Sequence, residues 1–179
     1  MSGPRTLRLA VAVAALVSMG VLAASAFATS RSETNLASLN QQVVAAVNSF
    51  RVAHGLAPLH ESAALDRSAR RHSLEMGRVG YFAHTSANGA AFWKRIGRYY
   101  SLKGYAYWSV GENLLWAAAG VSAGHALQMW VESPEHLRNL LAPQWRQIGI
   151  SAVGVADAPG VYGGRNIVII TNDFGVRRR

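Results

Sequence analysis

The chain has 179 residues, a formal net charge of +9, 50% hydrophobic and 15% charged residues, and no cysteine. Disulfide-stapled scaffolds and cysteine-based metal or redox sites are therefore excluded, and the composition is too apolar for a disordered chain. Without the first 28 residues, sixteen basic residues stand against nine acidic ones, a balance of +7 that attracts the protein nonspecifically to anionic surfaces. No nucleic-acid-binding motif accompanies that charge, so no specific nucleic-acid partner is expected.

The N-terminus reads as an export leader. Arg5 and Arg8 give a basic start, Leu9 to Leu22 is uncharged and apolar, and Ala26-Phe27-Ala28 offers small residues at a cleavage site. Cleavage is expected after Ala28, which places the protein in a secreted or extracellular location with no transmembrane span left. The competing reading is anchorage by an uncleaved segment. The uncharged run from Leu9 to Ser30 is barely long enough for that, since roughly 20 residues are needed, and Ser18, Gly20 and Ser25 interrupt it. The remaining chain has the size of one domain. The expected organisation is a leader over 1–28, a linker over 29–38, one domain over 39–176 and a basic tail over 177–179.

Leu36, Leu39, Val43, Val47 and Phe50 recur at helical spacing and predict a first helix that stops near Gly55. A second helix is expected from Glu61 to Met76, with Leu65, Ala69, His72 and Met76 on its inner face and Gly77 and Gly80 ending it. Arg67, Arg70, Arg71 and Arg78 read as its solvated face. Ala90 to Arg98 predicts a short helix, Lys103 to Ser109 an aromatic loop, and Val110 to Trp116 a strand. Ser122 caps a third long helix that runs to Glu132. Ser133-Pro134-Glu135-His136 reads as a new helix start, with Ser as N-cap, Pro at the first helical position and Glu at the positive end of the dipole. Two strands follow, one with Ile148, Ile150, Val153 and Val155 and one over Ile167 to Thr171. Gly160 to Gly164 turns between them. Helices first and strands later predict an α+β fold with helices packed on an antiparallel sheet.

Three segments carry candidate chemistry. His84, Glu112 and His136 each lie in apolar or aromatic sequence, so all three are expected near a core. Two neutral imidazoles can ligate zinc or another divalent ion, and a nearby glutamate can ligate, orient an imidazole or act as a base. No HExxH pattern is present. His72 is expected to pack or form a buried hydrogen bond, and His54, His60 and His125 receive no role. A hydrolase using Ser133 conflicts with the use of its hydroxyl as an N-cap.

Several motifs in order resemble the CAP superfamily, also called the SCP or PR-1-like family, in its bacterial secreted branch. They are Asn48-Ser49-Phe50-Arg51 with Gly55-Leu56 and Pro58-Leu59; Ala69, His72-Ser73 and Met76; Gly80-Tyr81-Phe82-Ala83-His84-Thr85; Gly111-Glu112-Asn113; Trp130, Ser133-Pro134, His136 and Asn139-Leu140-Leu141; and Ile148-Gly149-Ile150. The resemblance implies a three-layer α-β-α sandwich and a cleft where His84, Glu112 and His136 converge, with His84 and His136 as the metal pair. In plant and animal members a second glutamate stands three residues after the tryptophan. Here that position is Ser133, flanked by Glu132 and Glu135, which weakens any mechanism that needs two acids. Family members have been linked to divalent metals, sterols or fatty acids, proteolysis and cell surfaces. The expectation is a secreted, non-enzymatic module that binds a small ligand, lipid or envelope component. A metal-assisted hydrolase with Glu112 as base, and a lipid carrier using the aromatic stretch from Trp93 to Trp108, are the alternatives.

Overall fold

The computed structural model describes residues 33–179. The expected leader and its cleavage point lie outside these residues. Five strands and five helices follow in the order β1 (Glu33–Asn35), α1 (Ala37–Ala53), β2 (His60–Glu61), α2 (Ala63–Val79), α3 (Phe92–Tyr99), β3 (Tyr107–Ala118), α4 (Ala123–Val131), α5 (Pro134–Leu140), β4 (Gln147–Ala158) and β5 (Arg165–Arg178). The strand order is β1-β4-β5-β3, all antiparallel, with the two-residue β2 pairing parallel to β4. The fold is α+β, as expected.

The sheet is buried on both faces, which explains the unbroken hydrophobicity of β4 and β5. Alternate residues serve opposite cores. Ile148, Ile150, Val168 and Ile170 pack with Val43, Val47, Ala126 and Trp130 from α1 and α4. Val153, Val155, Ile167 and Ile169 pack with Met76 from α2. A smaller cluster of Leu65, Ile96 and Tyr100 joins α2 to α3. The helices thus form two layers around the sheet.

Several boundaries differ from the sequence expectation. Gly77 lies inside α2 instead of ending it. A Cβ there would approach Val155 Cγ2 to 2.8 Å, so this glycine allows close packing, while Gly80 at φ 83° ends the helix. Glu61 belongs to β2, and Tyr107 to Ser109 begin β3 rather than completing a loop. The segment read as linker contains β1, which pairs with β4 over Val153 to Val155. The tail is also not free: Arg177 and Arg178 are the last residues of β5, opposite Trp108 and Tyr107. The Arg177 guanidinium lies 3.8 Å over the Tyr100 ring and 4.5 Å from that of Tyr105.

Candidate functional site

The strand β3 is an edge strand, and the site wraps around its free edge. α5 approaches from one face of the sheet, and the segment 81–91 leading into α3 approaches from the other. Gly111-Glu112-Asn113 divides its residues between the two sides. Gly111 has no Cβ because one would come within 2.8 Å of the Trp145 ring. Asn113 faces α5 and donates to His136 O at 3.0 Å. Asn139 of α5 donates in return to Glu112 O at 3.1 Å and Asn113 Oδ1 at 2.8 Å. The far end of α5 is tied by buried Arg51, whose Nη1 donates to Leu140 O at 2.7 Å and Ala142 O at 3.1 Å. These bonds satisfy C-terminal carbonyls that the short helix leaves without partners. His136 is therefore held by backbone and amide contacts on both sides.

His84 lies in a segment without regular structure, yet that segment is held from three directions. Buried His72 contacts Ala83 O through Nε2 at 2.9 Å. Tyr81 donates to Glu75 at 2.7 Å, and Tyr162 donates to Tyr81 O at 2.7 Å. Arg95 of α3 donates to His84 O at 3.1 Å and Ser86 Oγ at 3.2 Å. His72 is thus a packing residue with one buried hydrogen bond, as its place on α2 predicts. Burial lowers its pKa to about 4, so at neutral pH Nε2–H donates to the carbonyl.

The carboxylate of Glu112 is buried and doubly engaged. His84 Nδ1 lies 2.8 Å from Oε1, and Arg95 Nη2 contacts Oε2. The fully buried Asp173 faces Glu112 across the β3–β5 ladder. Burial raises the Asp173 carboxyl well above the ordinary range, and the Glu112 charge adds to the effect. Sequence reasoning missed Arg95 and Asp173. The available signal for Asp173 was an acid within a hydrophobic strand, whereas Arg95, beside Lys94 and near Arg98 in its helix, carries no local mark.

With Nδ1–H held by Glu112, a neutral His84 carries its lone pair on Nε2. A carboxylate that orients an imidazole in this way is the usual support behind a metal-ligating histidine. Burial, reinforced by His84, lowers the His136 pKa, which favours its neutral form. Two imidazoles thus suit a divalent ion, but the fully buried Glu112 side chain offers it no exposed oxygen. Among the described residues no group of three or more His, Cys, Asp or Glu is placed to hold a metal. Any ion in this cleft would need water or ligand atoms to complete its shell.

The cleft has a volume of about 360 Å³ and includes His84, Phe92, Glu112, His136, Asn139 and Trp145 in its lining. Glu135 is also at its wall, but Ser133 is not. Ser133 occupies the N-cap position of α5 without accepting a side-chain hydrogen bond there, unlike Ser122, whose Oγ accepts from His125 N at 3.2 Å. Glu132 is exposed and bonds Gln128. The aromatic stretch does not form one groove: Tyr100 is fully buried, while Trp93, Tyr99 and Tyr107 are exposed.

A helix-covered sheet with a histidine–glutamate–histidine cleft at its edge defines the protein class. The model of the Cysteine-rich secretory protein family (CAP) matches residues 44–168, and the chain belongs to that family despite lacking cysteine. It is 27% identical over 125 residues to the uncharacterized protein YkwD of Bacillus subtilis, covering 70% of this chain and 46% of YkwD. It is also similar to an extracellular SCP-domain protein from Bacillus anthracis, at 28% identity and a TM-score of 0.59 over 80% of this chain and 41% of that one. An outer surface protein from Borrelia burgdorferi shares the fold, with a TM-score of 0.66 at 18% identity over 83% of this chain and 99% of its own. The chain spans less than half the length of both Bacillus relatives. Among the described residues no helix is long and apolar enough to cross a membrane.

Proposed function

We propose that this chain acts outside the membrane as a non-enzymatic binding module, with the His84–Glu112–His136 cleft as its ligand site. The ligand is a small molecule or envelope component, and a zinc-like divalent ion on His84 and His136 is an optional part of the site. The engagement of Glu112 carries this reading. Its side chain is fully buried, with its oxygens against His84 and Arg95, so it presents no exposed carboxylate to a water in the cleft. The description of the Bacillus anthracis relative as extracellular supports the location.

Thermal melts with zinc provide the test. Binding at a hundred-fold excess over Kd stabilises a fold by about 2.7 kcal/mol. The wild-type midpoint should rise with zinc, and that of His84→Ala/His136→Ala should not. Turnover of peptide, peptidoglycan or ester substrates that disappears in Glu112→Gln would overturn the non-enzymatic reading in favour of a metal-assisted hydrolase.

A further inference from the structure

The opposite edge of the sheet contains a gap. β1 covers β4 from Val153 to Val155, and β2 covers Gln147 and Ile148. Between them, side chains replace a neighbouring strand. Asp66 Oδ1 accepts from Ile150 N at 3.0 Å, and Asn40 Oδ1 accepts from Ala152 N at 2.7 Å. Ala152 O already accepts from Leu36 N. The edge N–H groups in the gap are therefore satisfied, and an added β-strand would find no free donor there. What remains is a cavity of about 270 Å³ between α1 and α2, lined in part by Asn40, Gln41, Asp66, Arg67, Arg70 and Ser151.

Two observations mark the charge pattern of this cavity. Arg67 and Arg70 stand one helical turn apart, and neither makes an ion pair or hydrogen bond among the described residues. Asp66 uses only one oxygen, for Ile150 N. Burial and the charge of Glu61, which also lines the cavity, raise its carboxyl against the opposing pull of that N–H and of Arg67.

The cavity therefore presents two guanidiniums and two carboxylates. A simple anion would meet Asp66, and a simple cation would meet the arginines. A ligand carrying both charges satisfies both sides. The volume lies below the range of about 300–1,000 Å³ typical of drug-sized ligand sites, which limits the occupant to about one or two amino-acid residues.

We propose that the gap between β1 and β2 is a binding site for a small zwitterion, a free amino acid or dipeptide. Its carboxylate bridges Arg67 and Arg70, and its ammonium meets Asp66 and Glu61. The site is separate from the histidine cleft and does not depend on what that cleft binds.

Titration of the ¹⁵N-labelled protein with alanyl-alanine tests it. Saturable amide shifts are expected around Asn40, Asp66 to Arg70 and Ile150 to Ala152, and none around His84 or His136. N-acetyl-alanine lacks the ammonium and alaninamide lacks the carboxylate. Each should bind at least about ten-fold more weakly, as should the Arg67→Gln/Arg70→Gln variant to the dipeptide, because each loses charge-assisted hydrogen bonds. The thermal midpoint of that variant should stay unchanged, since both arginines are exposed. Equal binding of N-acetyl-alanine would reveal a plain anion site and overturn the proposal. Absence of saturable shifts at about 10 mM, ten times a millimolar Kd, would overturn it as well.

Discussion

Replacing Arg95 with methionine tests whether the site rests on a buried charge pair. Arg95 and Glu112 are both buried, and Asp173 lies beside them across the ladder. Removing the guanidinium leaves two buried carboxyl groups facing each other with only His84 to offset them. Breaking a buried pair from one side costs about 3–5 kcal/mol. For a chain of this size each kcal/mol moves the thermal midpoint by about 2–4 °C, so Arg95→Met should melt roughly 6–20 °C lower. Arg95 also holds His84 O and Ser86, so the His84 segment should loosen with it. Adding Glu112→Gln removes the stranded charge and should restore at least about 2 kcal/mol, which a double-mutant cycle in urea would measure from tryptophan fluorescence. A loss below about 1 kcal/mol in Arg95→Met, or a double variant as unstable as the sum of the singles, would refute the reasoning.

Two further outcomes follow from buried groups. The folded-state pKa of His72 is lowered to about 4, so between that pH and its unfolded value of about 6.5 the folded chain binds fewer protons. Its contribution is therefore full above about pH 6.5 and is lost as pH falls towards 4, at up to about 1.4 kcal/mol per pH unit. Asp173, with its raised pKa, has the opposite sign: its contribution falls as pH rises above about 4. Comparing His72→Gln with wild type isolates the histidine, and an unchanged slope of urea stability between pH 4 and 6.5 would count against its neutral burial. Gly149→Ala should lose about 3 kcal/mol in the same assay, the upper end for overpacking. A Cβ there would overlap the backbone of Leu65 and Asp66, which cannot rotate away; a near-neutral variant would mean that α2 can move off β4.

Much of the fold was legible because helix and strand periodicities are local. Val43 and Val47, or Leu65 and Met76, share a face wherever the helix docks. Ile167 to Ile170 are apolar on both sides of the strand, which requires helices on both faces of the sheet. β1 and β2 were illegible because two or three residues carry no periodicity and exist only by pairing with β4. Ser133 looked like a capping side chain, but its backbone alone holds the N-cap position, since the path of the hydroxyl depends on packing.

The sequence by itself determined which residues could enter a site. Spacing placed His84, Glu112 and His136 in apolar segments, and their motifs placed them in one cleft. Only the tertiary structure decided what Glu112 can do there. The β3–β5 register sets Asp173 opposite it, and the docking of α3 brings Arg95 onto its second oxygen. Residues 17 and 61 positions away occupy its surroundings, and local sequence does not encode such contacts because they exist only once the sheet has paired and the helices have packed.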